Sequence, residues 1–347
     1  MQFVWIGWSK CLGRLYEFSK LDSRCGFLKV DNMDMAKLVF TSFGCATIFA
    51  LMLGCQGLSK EGFFHGSLGI TQKIILASSA ATTTSPYHIV QYSIDGVFEK
   101  VLYDSTFDNR TPRAMAMIDP FSFLIATDTV DGILLFDYLS GVNDWVTNSN
   151  FNGVIGEMVR ASNGDVFAIE GTTIESFDAN GLRIGNPRIA ATIGSCAMTT
   201  AVRGMAINAS GYLVVGSQGN DDILFYNISN PASTTCVTAN NTLGNVDPVA
   251  IVAHSDGYVY VAHSGGTDAI LRFNGDGSGS STSVYTNTSV INNPNAMVEL
   301  PDGTLLVASD ATNNIVRIDT SGNVLNNPFI SDGFTQFVQH MIVTEVP

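Results

Sequence analysis

The chain has 347 residues, with 17 Lys and Arg against 31 Asp and Glu, for a formal net charge of −14. Such an excess of acid repels phosphate backbones and excludes nucleic acid as an expected partner. The length suits one large domain or two small ones.

Residues 1–34 carry charges, two cysteines and two tryptophans without a helical or strand period. From Met35 the chain reads "MAKLVFTSFGCATIFALMLGC". Lys37 supplies a positive start, Leu38 to Leu53 an apolar run, and Gly54 a small residue, which is the order of an export signal. Translation is therefore expected to begin at Met35 (Met33 is the other choice), with 1–34 an upstream extension and 35–54 the signal peptide. Two other readings stand beside it: a plain cleaved signal, and an uncleaved anchor helix. The run is shorter than the roughly 20 residues that span a bilayer comfortably. All three export the rest of the chain. Met52-Leu53-Gly54-Cys55 resembles the lipobox of bacterial lipoproteins, although Met52 stands where Leu is usual. The resemblance implies a lipid on the Cys55 thiol, cleavage after Gly54 and a membrane held through that anchor. With Gln56 rather than Asp next, it also implies an outer-membrane or surface destination. A soluble periplasmic or secreted protein is the alternative.

Beyond Cys55 the chain holds 11 basic and 27 acidic residues, and no lysine follows Lys100. Any cluster of arginines is therefore conspicuous. Of the six cysteines only Cys196 and Cys236 remain in the body. An even pair in an oxidising compartment reads as a disulfide; two separate buried thiols are the other possibility. Residues 55–72 read as a tether, and the body spans 73–347.

The body repeats. Five segments align, from Arg113 ("RAMAMIDPFSFLIATDTVDGILLFD"), Gly156, Arg203, Val249 and Asn295 ("NAMVELPDGTLLVASDATNNIVRID"), with starts 43, 47, 46 and 46 residues apart. That spacing suits a four-stranded blade of a β-propeller. In the last unit "NAMVEL" is a short apolar strand and Pro301-Asp302-Gly303 a turn. "TLLVAS" reads as a strand buried on both faces, "NIVRID" as a more exposed one, and "NVLNNPFI" as a weaker fourth. "KIILAS" (73–78) matches a second strand, "HIVQYSIDG" a third, and "QHMIVTEVP" (339–347) a first. The fold expected is all-β, a six-bladed propeller closed by a C-terminal inner strand joining the N-terminal strands, which leaves no long open edge. These units resemble NHL-type repeats and the related gluconolactonase-like six-bladed propellers over nearly all of 73–347. The resemblance implies the fold and leaves the function open, since such rings host enzymes, receptors and scaffolds.

Ligands of propellers meet the central channel where the inner strands begin. The first positions of the aligned units place Arg113, Glu157, Arg203, Asn295, Gln339 and His340 there. The ends of the second strands add Asp128, His263 and Asp310. The forks of Arg113 and Arg203 suit a carboxylate, sulfate or sugar acid; alternatively they pair with Glu157 or Asp128 and tie blades together. Either histidine could act as a base, or be a channel residue bonded to a carboxylate.

The gluconolactonase-like resemblance implies a divalent metal, and Asn295 and Glu157 match part of its ligand set. Arg203 and Val249 stand where a second Asn and an Asp belong. Oxygen-rich Ca²⁺ sites need about 6–8 ligands, so no metal and no cofactor is expected. Asn274–Gly279, "NGDGSG", resembles a calcium loop without its first Asp and closing Glu; a Gly/Ser hairpin is the plainer reading. No G-x-S-x-G, His-Glu-x-x-His or phosphate loop occurs. The sequence points to a monomeric, non-enzymatic binding or scaffold module at the cell envelope, meeting an envelope protein or a small anionic ligand. A metal-dependent lactonase is the alternative.

Overall fold

The computed structural model describes residues 71–78, 87–104, 111–127, 132–138, 140–146, 155–185, 189–199, 202–228, 235–239 and 247–346, all within the unit His65–Pro347. The export signal, Cys55, most of the tether and Asp128 lie outside the described residues.

The first blade holds β1 (Thr71–Ser78), β2 (His88–Ser93) and β3 (Phe98–Asp104). The second holds β4 (Pro112–Asp119), β5 (Ser122–Thr127), β6 (Ile133–Asp137) and β7 (Gly141–Val146). β8 (Ile155–Arg160), β9 (Val166–Glu170) and β10 (Thr173–Phe177) form the third, followed by a hairpin of β11 (Thr192–Ile193) and β12 (Cys196–Ala197). The fourth contains β13 (Val202–Ile207), β14 (Tyr212–Ser217), β15 (Asp222–Asn227) and β16 (Thr235–Ala239). The fifth contains β17 (Asp247–Ala253), β18 (Tyr258–Ser264), β19 (Ala269–Asn274) and β20 (Thr282–Tyr285). The sixth contains β21 (Pro294–Glu299), β22 (Leu305–Ser309), β23 (Asn314–Ile318) and β24 (Val324–Ile330). β25 (Val338–Val346) then joins the first blade as its innermost strand, antiparallel to β1, with Met341 opposite Leu76 and Val343 opposite Ile74. The inner strands touch in the order β4, β8, β13, β17, β21, β25 and back to β4. The chain is a six-bladed propeller closed by its last strand.

Turn chemistry sets the strand ends. In the sixth blade Asp302 Oδ1 accepts the Thr304 N–H at 3.1 Å, and Gly303 takes φ +78°, a conformation that costs glycine little. The second strands are buried along most of their length because both faces are covered; β5, β9 and β22 are buried at every position, their polar end residues included. Six apolar clusters fill the molecule, one between each pair of neighbouring blades.

The third strands are somewhat more exposed than the second, as expected: Asn314 and Arg317 of β23 are half-buried, whereas β22 is buried throughout. The core positions of β23 reach both neighbours, with Ile315 packed towards the first blade and Val316 and Ile318 towards the fifth. One expectation needs correction. Among the described residues the third blade has three strands instead of four. After Phe177 the chain turns repeatedly, with Gly181 and Gly185 at positive φ, and it returns to β10 through isolated bridges at Arg183 and Ile189 and hydrogen bonds between Ile184 and Ser176. Cys196, in the hairpin that follows, is bonded to Cys236 on β16, the outer strand of the fourth blade.

Candidate binding site at the channel mouth

All six inner strands slip in register near their starts. Arg113 is the extra residue in β4, Gly156-Glu157 oppose one residue of β9, and Gly204 is extra in β13. Val249, Asn295 and Gln339 are extra in β17, β21 and β25. Such β-bulges bend a strand and re-aim its side chains. Their sixfold repetition gathers the candidate residues at one end of the ring. At Gly216 a Cβ would stand 2.5 Å from the Arg203 carbonyl oxygen and 2.9 Å from the Pro248 Cβ, so glycine permits the close approach of β14 to these strands.

A polar network spans the mouth. Arg203 Nη1 donates to Asn295 Oδ1 at 3.2 Å, linking β13 to β21 across the strand that carries Val249. Asn295 Nδ2 donates to the Val338 carbonyl at 2.7 Å. Arg113 Nη1 donates to Gln339 Oε1 at 3.3 Å. His340 Nε2 lies 3.0 Å from Glu157 Oε1, which also accepts the Met158 N–H. Glu157 thus pairs with His340 rather than with an arginine. His263 is fully buried opposite Pro248.

Arg203 makes no ion pair among the described residues; its hydrogen bond runs to a neutral amide. Burial, and then the charge of Arg113, hold its guanidinium below the usual arginine range, while Asp310, Glu157 and Asp247 oppose that shift. Asp310 opens a short turn, Asp310–Thr312, whose backbone donates to the Asn293 and Asn292 carbonyls. Burial pushes its carboxyl up to about 7, against the pull of Arg203 and the Val338 N–H. One carboxyl oxygen, Oδ1, is buried without a partner. Asp247 was missed from the sequence. It acts on Arg203, and it raises the carboxyl of Asp221, for which burial is the larger cause.

The pH consequence has a definite sign. A carboxyl that titrates higher folded than unfolded contributes stability below its unfolded value, and that contribution is lost as pH rises through the folded one. Asp310→Asn is therefore expected to raise the melting temperature by several degrees at pH 8, the gain fading towards pH 4. Parallel melting curves at the two pH values check this; an equal effect at both would show that Asp310 is not destabilised when ionised.

Among the described residues no group of His, Cys, Asp and Glu forms a metal-ligand set. In "NGDGSG", Asp276 Oδ1 accepts the Ser278 N–H and Asn274 Nδ2 donates to the Ser278 carbonyl, so the segment closes on itself as a hairpin turn. A shallow cleft of about 460 Å³ lies at the opposite end of the ring, by Met117, Asp119, Arg160 and Glu345. No buried, unpartnered polar atom lines it among the described residues. Exposed apolar side chains such as Phe98, Val101, Val324 and Leu325 lie on outer strands, away from the mouth.

No protein-family model matches the sequence, and no curated protein matches it. Solved structures match its fold. A chain of the nidogen/laminin complex is 10% identical with a TM-score of 0.62, covering 79% of this chain and 98% of that one. A protein of unknown function from Bacteroides caccae is 13% identical with a TM-score of 0.53, covering 79% and 99%. Catalytically inactive virginiamycin B lyase from Staphylococcus aureus, crystallised with quinupristin, is 17% identical with a TM-score of 0.51, covering 63% and 70%. At these identities the likeness extends to the propeller architecture.

Proposed function

We propose that this propeller is a non-enzymatic binding module of the cell envelope, exported and held by a lipid on Cys55, that takes a small anion at the channel mouth. One observation carries the reading: Arg203 is half-buried, is repelled by a second arginine, and among the described residues hydrogen-bonds a neutral amide with no carboxylate in ion-pair contact. A guanidinium held partly out of water gains from a carboxylate in direct contact, which the more distant Asp310, Glu157 and Asp247 do not provide. A bound carboxylate or sulfate supplies that contact, and the arginine fork suits either.

The nidogen/laminin structure is a complex, and virginiamycin B lyase was crystallised with a small molecule. Both are compatible with a ring that binds, and the residues at the mouth support the reading for this chain. An envelope protein could supply the anion from a side chain or chain end. The lactonase alternative is less well supported by the residues present. Both polar ends of Asn295 are engaged, by Arg203 and by the Val338 carbonyl, and an arginine stands in the ring where an oxygen ligand belongs.

The test is thermal unfolding in sulfate against chloride at matched ionic strength. A ligand at 100 times its dissociation constant adds about 2.7 kcal/mol of stability. The melting temperature is expected to rise by several degrees in sulfate, and the rise to vanish in Arg203→Gln. An equal rise in the variant would place the anion elsewhere.

A further inference from the structure

The third blade holds a charged cluster that the channel mouth does not use. Glu175 lies on β10 opposite Ala168 of β9, and Ala168 packs towards the second blade, so Glu175 faces that blade too. Glu170, two residues after Ala168 on the same strand, shares the face. Both glutamates are buried. Arg183 reaches both carboxyl groups from the stretch that runs outside β10.

The two carboxyl groups are held unequally. Arg183 Nη2 donates to Glu170 Oε2 at 3.1 Å. Arg183 Nε lies 3.0 Å from Glu175 Oε2, but neither atom finds an aligned hydrogen bond. Glu175 Oε1 meets the Thr173 hydroxyl at 3.4 Å, and that hydroxyl is nearer the Glu170 carbonyl, at 3.1 Å. Other charges on the adjoining elements are engaged elsewhere. On β8, Glu157 pairs with His340 and Arg160 donates to the Ile118 carbonyl. Asp178, which follows β10, accepts the Asn180 and Leu182 N–H groups at 2.9 Å.

Two buried carboxyl groups thus share one guanidinium, and when both are ionised one negative charge is left over, which is costly out of water. Burial holds the Glu175 carboxyl above the usual carboxylate range, with Arg183 opposing and Glu170 adding to the shift. A proton on Glu175 restores the balance of one carboxylate to one guanidinium. The stability that such a carboxyl contributes at low pH is lost as pH rises through its folded value.

The stretch that carries Arg183 has modest support of its own. Ile184 exchanges hydrogen bonds with Ser176, the Asp178 N–H donates to the Leu182 carbonyl, and Leu182 is exposed. Ile189 is buried and bonded to Ile174, which anchors the far end. We propose that Glu170, Glu175 and Arg183 form a pH-sensitive clasp on the third blade: closed while Glu175 is protonated, it loosens as Glu175 ionises and frees residues 182–185 from the outer edge of β10. The clasp is separate from the anion site and does not depend on it.

Amide hydrogen exchange at pH 5.5 and pH 8, corrected for intrinsic rates, tests the clasp. Protection of the Ile184 and Asp178 amides is expected to fall severalfold at pH 8, relative to Val214 and Val215 in β14. Glu175→Gln, which keeps that position neutral, should hold the protection high at both pH values. Glu170→Gln should flatten the dependence as well, because Glu175 then has Arg183 to itself. Melting curves check that both variants fold. Equal protection at the two pH values in the native protein overturns the clasp, as does a fall shared equally by β14. A fall that survives in either variant overturns it too.

Discussion

Removal of residues 338–347 is expected to abolish cooperative folding of the propeller. β25 contributes Val338, Met341 and Ile342, all buried, to the clusters that join the first blade to the sixth and to the second. Full burial of such side chains stabilises by about 1.5–3 kcal/mol each, and the net stability of a domain is only about 5–15 kcal/mol. The three together are of that order before the ladder to β1 is considered. Deletion also leaves β1, otherwise a central strand, with an open edge. The expected result is loss of the unfolding transition, seen by circular dichroism and calorimetry. Met341→Ala gives a graded version, with an expected loss of about 2–5 kcal/mol. A truncated chain that melts like the intact one would refute closure through this strand.

The second large effect concerns Cys196 and Cys236, bonded in the structure and 40 residues apart in sequence. In the chain-entropy account a bridge closing a loop of that length stabilises by about 4 kcal/mol. The location adds to its importance. The third blade lacks a regular outer strand, and the bridge ties the hairpin that follows it to the edge of the fourth. Reductant, or Cys236→Ser, is expected to lower the melting temperature by roughly 5–10 °C, at about 2 °C per kcal/mol for a domain of this size. An unchanged midpoint would mean that the two thiols act as separate buried hydrophobes.

Much of this architecture was legible from local chemistry. Turns ending in glycine (Asn163-Gly164, Ser210-Gly211, Asp256-Gly257 and Asp302-Gly303) recur at a blade-length period, and "TLLVAS" has an unbroken apolar centre because blades cover both faces. The match of "QHMIVTEV" to a first strand and of "KIILAS" to a second was enough to place the closure. The third blade departed from the pattern because Gly181 and Gly185 turn the chain away before a fourth strand can form. In "NIVRID" the polar positions mark the half-buried Asn314 and Arg317, while the isoleucines and valine fill two different interfaces.

The mouth was legible as a set of residues and not as a network. A bulge is a property of register between two strands, so nothing at Arg113 or Asn295 alone announces it. A partial signal was present. Pro112, Pro248 and Pro294 each stand just before the extra residue, and each is followed two positions later by alanine. Proline is tolerated there because it stands at the first or second position of the strand, where a ladder donor can be dispensed with. Pairings that skip a strand, Arg203 with Asn295 and Glu157 with His340, depend on the curvature of the ring. Asp247 escaped notice because the alignment of its unit began two residues later.

The most direct measurement is crystallographic: a crystal of the protein soaked in selenate, with anomalous differences located around the channel. The account predicts a selenium peak at the mouth, with an anion oxygen roughly 2.8 Å from an Arg203 guanidinium nitrogen, and no peak there in Arg203→Gln. A mouth holding only water in the native protein, with selenate bound elsewhere, would contradict the anion site.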